Sequence, residues 1–364
     1  MPRVTVLLPT YQSEKYLHET MKSIFSQSFQ DFEVLIVDDH STDDTLKIIQ
    51  SFPDSRVRLL SGPQKGLAEA LNCGMCQAAG EYIARIDADD LMVPSRLEKQ
   101  VAYMDSHPEV AVCGGWQQYF GLSTYLHAPP ETSEQCRANL LFRCDLCHST
   151  LMLRRDVFLG NSLFYDDSFA AEDFELWTRV LDHGEISNLP EVLGYYREDG
   201  RSITTAKKEQ LIVQQSEIVA ATLKRNLNIE LTPAQTMYFR GWINPFFDTQ
   251  YGLPIEERES AWRDLRRILA QIYERNREAG YYDEKALLKA LASEWAVLRY
   301  NAPFELPREE IPTLESVFVG QKRSQVLLRK ALSFCRNYRG IRRKYWKLKS
   351  LLDRRQKNRH RGER

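Results

Sequence analysis

Glu81-Tyr82-Ile83-Ala84-Arg85-Ile86-Asp87-Ala88-Asp89-Asp90 runs from an apolar stretch straight into a cluster holding three carboxylates. Residues 81–86 read as a strand, and Asp87 to Asp90 mark its carboxyl end. Pro94 then opens a helix, since proline is tolerated in the first helical turn. Taken alone, the acidic cluster has two readings. It is a solvated turn, or it is a set of hard oxygen donors for a cation. Carboxylates gathered at one edge repel each other unless a cation or donor groups answer them.

Upstream of this stretch the same alternation repeats. Apolar and β-branched runs at 4–8, 32–37 and 57–60 read as strands, and helical patterns fall at 14–27, about 41–51 and 66–79. A further short apolar run follows at 110–113. Strands alternating with such helices predict an α/β domain, a parallel sheet with helices on both faces. Ligands of open α/β sheets bind beyond the carboxyl ends of the strands. Pro9-Thr10-Tyr11, Asp38-Asp39 and Asp87 to Asp90 all fall there.

Downstream the pattern weakens between 116 and 145. Residues 149–153 read as a buried strand, and 195–202 as a polar turn. Residues 170–181 read as a helix whose first turn carries Glu172, Asp173 and Glu175. The helix macrodipole favours such acidic first turns, so periodicity alone gives Asp173 a structural reading. A domain boundary after the polar turn divides the chain into 1–205 and 206–364. The second part is a C-terminal helical region, broken by Pro233, Pro245, Pro254 and the stretch 303–312.

Composition is that of a soluble protein able to bury a core: 364 residues, 43% hydrophobic and 27% charged. No run of about 18 apolar residues suggests a spanning helix. Met1-Pro2-Arg3 leads directly into a strand without a secretory pattern, so the mature chain is expected to start there. Seven cysteines, an odd number, fit a reducing, cytoplasmic setting better than a disulfide framework.

The net charge of −1 hides an asymmetry. From Lys322 onward there are 17 Lys and Arg against two acids, leaving 32 basic and 48 acidic residues before it. Apolar residues from Leu327 to Leu352 recur alternately four and three apart, a heptad-like stripe flanked by Lys and Arg. This basic tail, about 322–364, suits an anionic membrane surface, a partner subunit or the chain's own acidic body. Nucleic acid is not expected, because basic charge is its sole support.

Cys73 and Cys76, and Cys144 and Cys147 with His148, match zinc spacing only weakly. The first pair reads instead as small side chains of a helix packed on the sheet. Trp116 and Trp177 read as core rather than as sugar-stacking platforms.

Together these segments resemble glycosyltransferase family 2. The similarity runs in order through Val4 to Tyr11, Ser23 to Phe29, Phe32 to Asp43, Lys65-Gly66-Leu67, Asn72, Ala79 to Ala84 and Asp87 to Asp90. His148-Ser149-Thr150, Glu172-Asp173 with Leu176-Trp177-Thr178-Arg179, and Tyr195-Tyr196-Arg197 extend it to about residue 205. The resemblance implies the type-A glycosyltransferase fold, a Rossmann-like, mostly parallel sheet with flanking helices. It also implies an inverting, divalent-metal-dependent transferase. Such an enzyme moves a sugar from a nucleotide-diphosphate donor, most often a UDP-sugar, to a hydroxyl of a glycan or lipid-linked acceptor. Cell-surface polysaccharide synthesis, at the cytoplasmic membrane face, is the expected setting. The alternative from another class is a catalytically silent glycan-binding or scaffolding subunit of a synthase.

At the matching positions, Pro9 and Tyr11 would line the nucleobase and ribose pocket. Asp39 would accept a hydrogen bond from the base. Asp87 would contact ribose or metal, Ala88 would lie against the nucleotide sugar, and Asp89 would ligate Mn2+ or Mg2+. Asp173 would be the general base, which replaces its structural reading. Two positions depart from the family pattern. Leu71 stands where arginine often precedes the asparagine, leaving Lys65 or Arg85 to contact the diphosphate. His40 stands where glycine usually follows the two aspartates.

Overall fold

A computed structural model describes residues 1–200, 208–239 and 254–300. Strand β1 (Val4–Thr10) is buried along its whole length, as is β2 (Phe32–Asp38). They pair in parallel, and β3 (Val57–Ser61) and β4 (Tyr82–Arg85) extend the sheet in the order β3-β2-β1-β4. Helices α1 (Leu17–Phe25), α2 (Thr45–Gln50) and α3 (Leu67–Gln77) make the connections.

Alternation along β1 explains both covers of the sheet. Val4, Val6 and Leu8 join a core with Leu17, Met21 and Ile24 of α1 and with Leu97, Val101 and Met104 of α4 (Arg96–Ser106). Leu7 points the other way and meets α3. There a Cβ on Gly74 would lie 2.2 Å from Leu7 Cδ1, so the glycine lets the helix approach the strand. Leu71 and Met75 of α3 are fully buried, Cys73 is half-buried and Cys76 is exposed. The glycine, not the cysteine pair, therefore provides the small contact on the sheet.

Beyond β4 the sheet is mixed rather than parallel. The order continues β8-β6-β9-β5, from β5 (Leu91–Met92), β6 (Val110–Gly121), β8 (Met152–Arg154) and β9 (Glu185–Glu198). β8 is antiparallel to β4 and β6, β9 is parallel to β6, and β5 is antiparallel to β9. β7 (Leu126–His127) adds to the edge of β6. The expected polar turn at 195–202 is strand as far as Glu198, because Tyr195 to Glu198 pair with Gln118 to Gly121. Helices α5 (Ser133–Asn139), α6 (Arg155–Gly160) and α7 (Glu172–Val180) complete this part, with a single turn of 3-10 helix at His148–Thr150.

The chain divides into two compact units, one of Met1–Pro245 with Arg275–Leu287, the other of Phe246–Glu274 with Leu288–Arg364. Within the first, α8 (Lys208–Leu227) follows the sheet, and α9 (Pro233–Thr236) begins with a capping box from Thr232. Helices α10 (Ile255–Ala279) and α11 (Glu284–Tyr300) each run across the division, so the described part of the second unit is helical, from residues 255–274 of α10 and 288–300 of α11. Among the described residues no helix is long and apolar enough to cross a membrane. The basic tail and its heptad-like stripe lie outside the described residues.

Candidate active site

Because β1, β2, β3 and β4 run parallel, their carboxyl ends share one edge of the sheet. Pro9 is buried opposite Val37, whereas Tyr11 just beyond it is 63% exposed. Asp38 is a structural residue. It accepts from Thr10 Oγ1 at 2.9 Å and from the Ser41 amide and hydroxyl at 3.0 and 2.6 Å. Asp39 faces the loop after β3, where its two oxygens accept the Gln64 and Gly66 amides at 2.6 and 2.8 Å. Lys65, between those two amides, is exposed. His40 adopts φ +66°, the left-handed region that glycine would occupy. The turn is thus kept, and the imidazole Nε2 lies 3.1 Å from Gly62 O.

The acidic cluster is divided in its roles. Asp87, Ala88 and Asp89 are half-buried, while Asp90 is 1% exposed. Arg85 is buried at the end of β4 and grips both oxygens of Asp87 with its two terminal nitrogens, one at 2.5 Å. Its Nε has no partner. Arg85 is thereby paired with Asp87. Residues 85 and 87 share a side because strand side chains alternate.

Asp89 is pushed up to about 6, first by burial and then by the charge of Asp87. Asp90 is raised by burial and both neighbouring carboxylates, and acts as an internal bolt. It accepts the Arg197 amide at 2.9 Å and Gln117 Nε2 at 3.3 Å. Arg197 in turn donates from Nε to Asp89 O at 3.0 Å and from Nη2 to Glu19 at 2.6 Å, and lies over the Tyr16 and Phe120 rings. Ala88 O accepts from Thr20 Oγ1 at 2.9 Å, which ties the cluster to α1.

A second buried guanidinium supports the cluster from below. Arg96 of α4 donates to the carbonyls of Arg85, Ser149 and Leu151 at 2.8 to 3.0 Å. It is pushed down to about 9 by burial, then by Arg85. Ser149 Oγ also accepts the Asp87 amide at 3.0 Å. The 3-10 turn at His148–Thr150 is thus fixed against the end of β4.

Next to it, His148 Nε2 lies 2.8 Å from Tyr165 Oη. Burial and the nearby Arg85 charge push the imidazole well below its usual value, so it is neutral. Tyr165 is held by Asn72, which donates to its carbonyl at 2.8 Å and accepts its amide at 2.9 Å. Trp177 is fully buried and Trp116 is half-buried.

Asp173 sits in the first turn of α7. Its Oδ1 accepts the Phe174 amide at 2.7 Å, and Oδ2 lies 3.9 Å from Cys144 Sγ. Burial raises its pKa, while the Phe174 amide, the Arg85 charge and the Cys144 thiol oppose the rise. Arg85 thus stands within electrostatic reach of both Asp87 and Asp173. The sequence did not reveal the supporting roles of Arg96, Ser149, Arg197 and Cys144, although Ser149 and Arg197 lie in motifs that it matched. The motif around Tyr195-Tyr196-Arg197 was the one signal available for Arg197.

The donor set suits a hard cation that keeps water or phosphate ligands. Asp87 and Asp89 are half-buried oxygen donors whose repulsion a cation would relieve. Among the described residues no group of three or more His, Cys, Asp or Glu could hold a metal alone. Neither cysteine pair forms such a group.

The family model of glycosyl transferase family 2 matches residues 5–160. The putative glycosyltransferase EpsE of Bacillus subtilis (strain 168) is 34% identical over 232 residues, 59% of this chain and 82% of its own length. The Escherichia coli protein UDP-Glc:alpha-D-GlcNAc-diphosphoundecaprenol beta-1,3-glucosyltransferase WfaP is 30% identical over 233 residues, 63% of this chain and 90% of its own. Among solved structures, S. aureus TarS 1–349 in complex with UDP-GlcNAc superposes with a TM-score of 0.55 at 19% identity, covering 83% of this chain and 88% of that one. That likeness shows the type-A fold.

Proposed function

This chain belongs to glycosyltransferase family 2 and is a glycosyltransferase, and from that premise we propose that it is an inverting, divalent-cation-dependent enzyme using a UDP-sugar. Its acceptor is a hydroxyl of a glycan or lipid-linked saccharide, in cell-surface polysaccharide synthesis. The name of the WfaP relative, which states a UDP-glucose donor and a diphosphoundecaprenol-linked acceptor, supports the donor and acceptor classes. The observation that carries the reading is that the carboxylates come from two elements around one buried guanidinium. Half-buried Asp87 and Asp89 lie at the end of β4, Asp173 opens α7, and Arg85 acts on both Asp87 and Asp173.

In this reading Pro9, Tyr11 and Asp39 receive the nucleoside. Asp39 keeps acceptor capacity, since each carboxylate oxygen has two lone pairs and one amide is bound to each. Asp87 is held by Arg85 and faces the ribose, with Ala88 beside it. Asp89, and secondarily Asp87, would hold Mn2+ or Mg2+. When bound, the cation neutralises the charge that grows on the leaving diphosphate. Lys65, exposed near that edge, reaches the diphosphate. Asp173 takes the proton from the acceptor hydroxyl as it attacks the anomeric carbon. A single displacement inverts that centre.

Two further assignments belong to the same proposal. Residues 1–205 form the nucleotide-sugar-binding catalytic domain, and 206–364 a helical region. The basic tail, 322–364, meets an anionic membrane surface or a partner subunit at the cytoplasmic face.

UDP release from UDP-sugars in the presence of Mn2+, together with calorimetry of UDP binding, tests the reading. No release from any donor and no UDP binding would sink it.

A further inference from the structure

We propose that Cys144 is a positioning residue for Asp173: its thiol donates to Oδ2 and holds the carboxylate in the orientation in which the Phe174 amide caps Oδ1. This rests on the reading of Asp173 as the base.

The two residues are 29 positions apart and meet through tertiary structure alone. Cys144 lies in the segment between α5 and the 3-10 turn, and Asp173 opens α7. An Asp side chain with only one oxygen fixed is free to turn about its carboxyl bond. A donor on the second oxygen removes that freedom. Thiols are weak donors, at 3.9 Å here, so the contact orients an ionised carboxylate without quenching its basicity as a guanidinium would. That balance suits a group that must be both ionised and able to accept a proton.

Among the described residues, titratable and polar groups approach Asp173 from several elements. Arg85 faces it from β4, Cys144 from its loop, Tyr165 from the segment before α7, and Glu172 precedes it on the helix. Burial and the Asp173 charge push the Cys144 thiol well above its usual value, with Asp145 and Cys147 adding to the effect. It therefore stays an S–H donor at neutral pH.

The test uses the full chain and the variants Cys144→Ala and Asp173→Asn. UDP release from UDP-glucose and UDP-N-acetylglucosamine is followed with Mn2+, water being the acceptor. Cys144→Ala is expected to keep UDP affinity by calorimetry and to lose kcat by roughly fivefold, the worth of about 1 kcal/mol in one hydrogen bond. Its acidic limb moves to higher pH, because losing a donor to the charged form raises the Asp173 pKa. The contact is also read without turnover. Asp173→Asn removes the charge that raises the thiol, so iodoacetamide should label Cys144 several-fold faster, with exposed Cys76 as the internal reference.

A Cys144→Ala enzyme with wild-type kcat and acidic limb overturns the proposal. So does equal labelling of Cys144 in wild type and Asp173→Asn. Failure of the underlying reading looks different: Asp173→Asn turns over normally, or the wild type releases no UDP.

Discussion

Arg85 holds Asp87 in a two-point grip across a spacing of two residues, with the guanidinium buried and the carboxylate half in solvent. This is an asymmetric ion pair. Its cation is 3% exposed and its anion 29%. The buried member depends on the pair far more than the wet one does, because an unpaired charge is costly only where water is absent.

Arg85→Met should therefore cost less than breaking a fully buried pair, and should release Asp87. The Asp87 charge that already raises Asp89 would then act without Arg85 to oppose it. The expected outcome is a loss of about 2 kcal/mol in urea unfolding, smaller than for a fully buried pair because Asp87 is partly hydrated. UDP affinity by calorimetry falls alongside. Arg85→Lys keeps the charge but not the fork, and should recover stability more than affinity. Wild-type UDP affinity in Arg85→Met would mean that the grip does not orient Asp87 for a nucleotide.

Glu33 offers a pH test away from the site. It is 7% exposed on β2, and accepts Thr5 Oγ1 at 2.6 Å, Arg58 Nη1 at 2.7 Å and the Ala79 amide at 2.9 Å. Burial pushes its pKa up, but these donors together outweigh burial and leave it below the usual 4.5. A carboxyl whose folded pKa is depressed gives stability that is fully present above its unfolded pKa. That stability is lost as pH falls through the folded value. Glu33→Gln should thus cost about 1 to 2 kcal/mol at neutral pH, and the gap should close as pH falls below the usual carboxylate range and through the depressed folded value. Urea melts of both proteins at several pH values read this directly. A gap that persists in acid would assign the loss to packing instead.

Gly74 predicts a cost of space rather than charge. A Cβ there meets Leu7 Cδ1 at 2.2 Å, and Leu7 is itself 1% exposed, so it has nowhere to retreat. Gly74→Ala gains helix propensity of about 1 kcal/mol but forces α3 off the sheet. Overpacking of about 1 to 3 kcal/mol should win, giving a net loss in thermal unfolding. A variant more stable than wild type would show that α3 moves freely on β1.

How far the sequence could be read follows from what each residue contacts. β1, β2 and β4 are legible because Val4 to Leu8, Phe32 to Val37 and Tyr82 to Ala84 are buried on both faces, and such strands read as continuous apolar runs. The far half of β6 and the end of β9 are not. Gln117, Gln118 and Tyr195 to Glu198 form a ladder whose sequence carries polar groups and no period of two. The carboxylates at the strand ends were equally legible, since strand boundaries locate them. Their supports were not. Asn72 meets Tyr165 across 93 residues and Arg197 meets Asp90 across 107, and no local pattern encodes such a pairing.

The proposed division of labour among the carboxylates makes the sharpest prediction, because two single substitutions should fail differently. Asp89 is lifted to about 6 by burial and by Asp87, a cost that a cation would relieve. Asp89→Ala should abolish the Mn2+-dependent part of UDP binding, seen by calorimetry as equal affinity with and without the ion. Turnover should vanish with it. Asp173 makes no hydrogen bond to the residues of the acidic cluster among its described contacts, and its partners are Phe174 and Cys144. Asp173→Asn should therefore bind UDP with Mn2+ as wild type does. Its transfer rate should drop by roughly 10²- to 10⁴-fold, the usual share of a general base. The amide keeps the shape and the acceptor oxygen but takes up no proton. If both variants lose UDP binding together, the two carboxylates serve one site and the assignment of Asp173 as base fails. If Asp173→Asn keeps full turnover, the acidic first turn of α7 is structural, as its periodicity alone suggests.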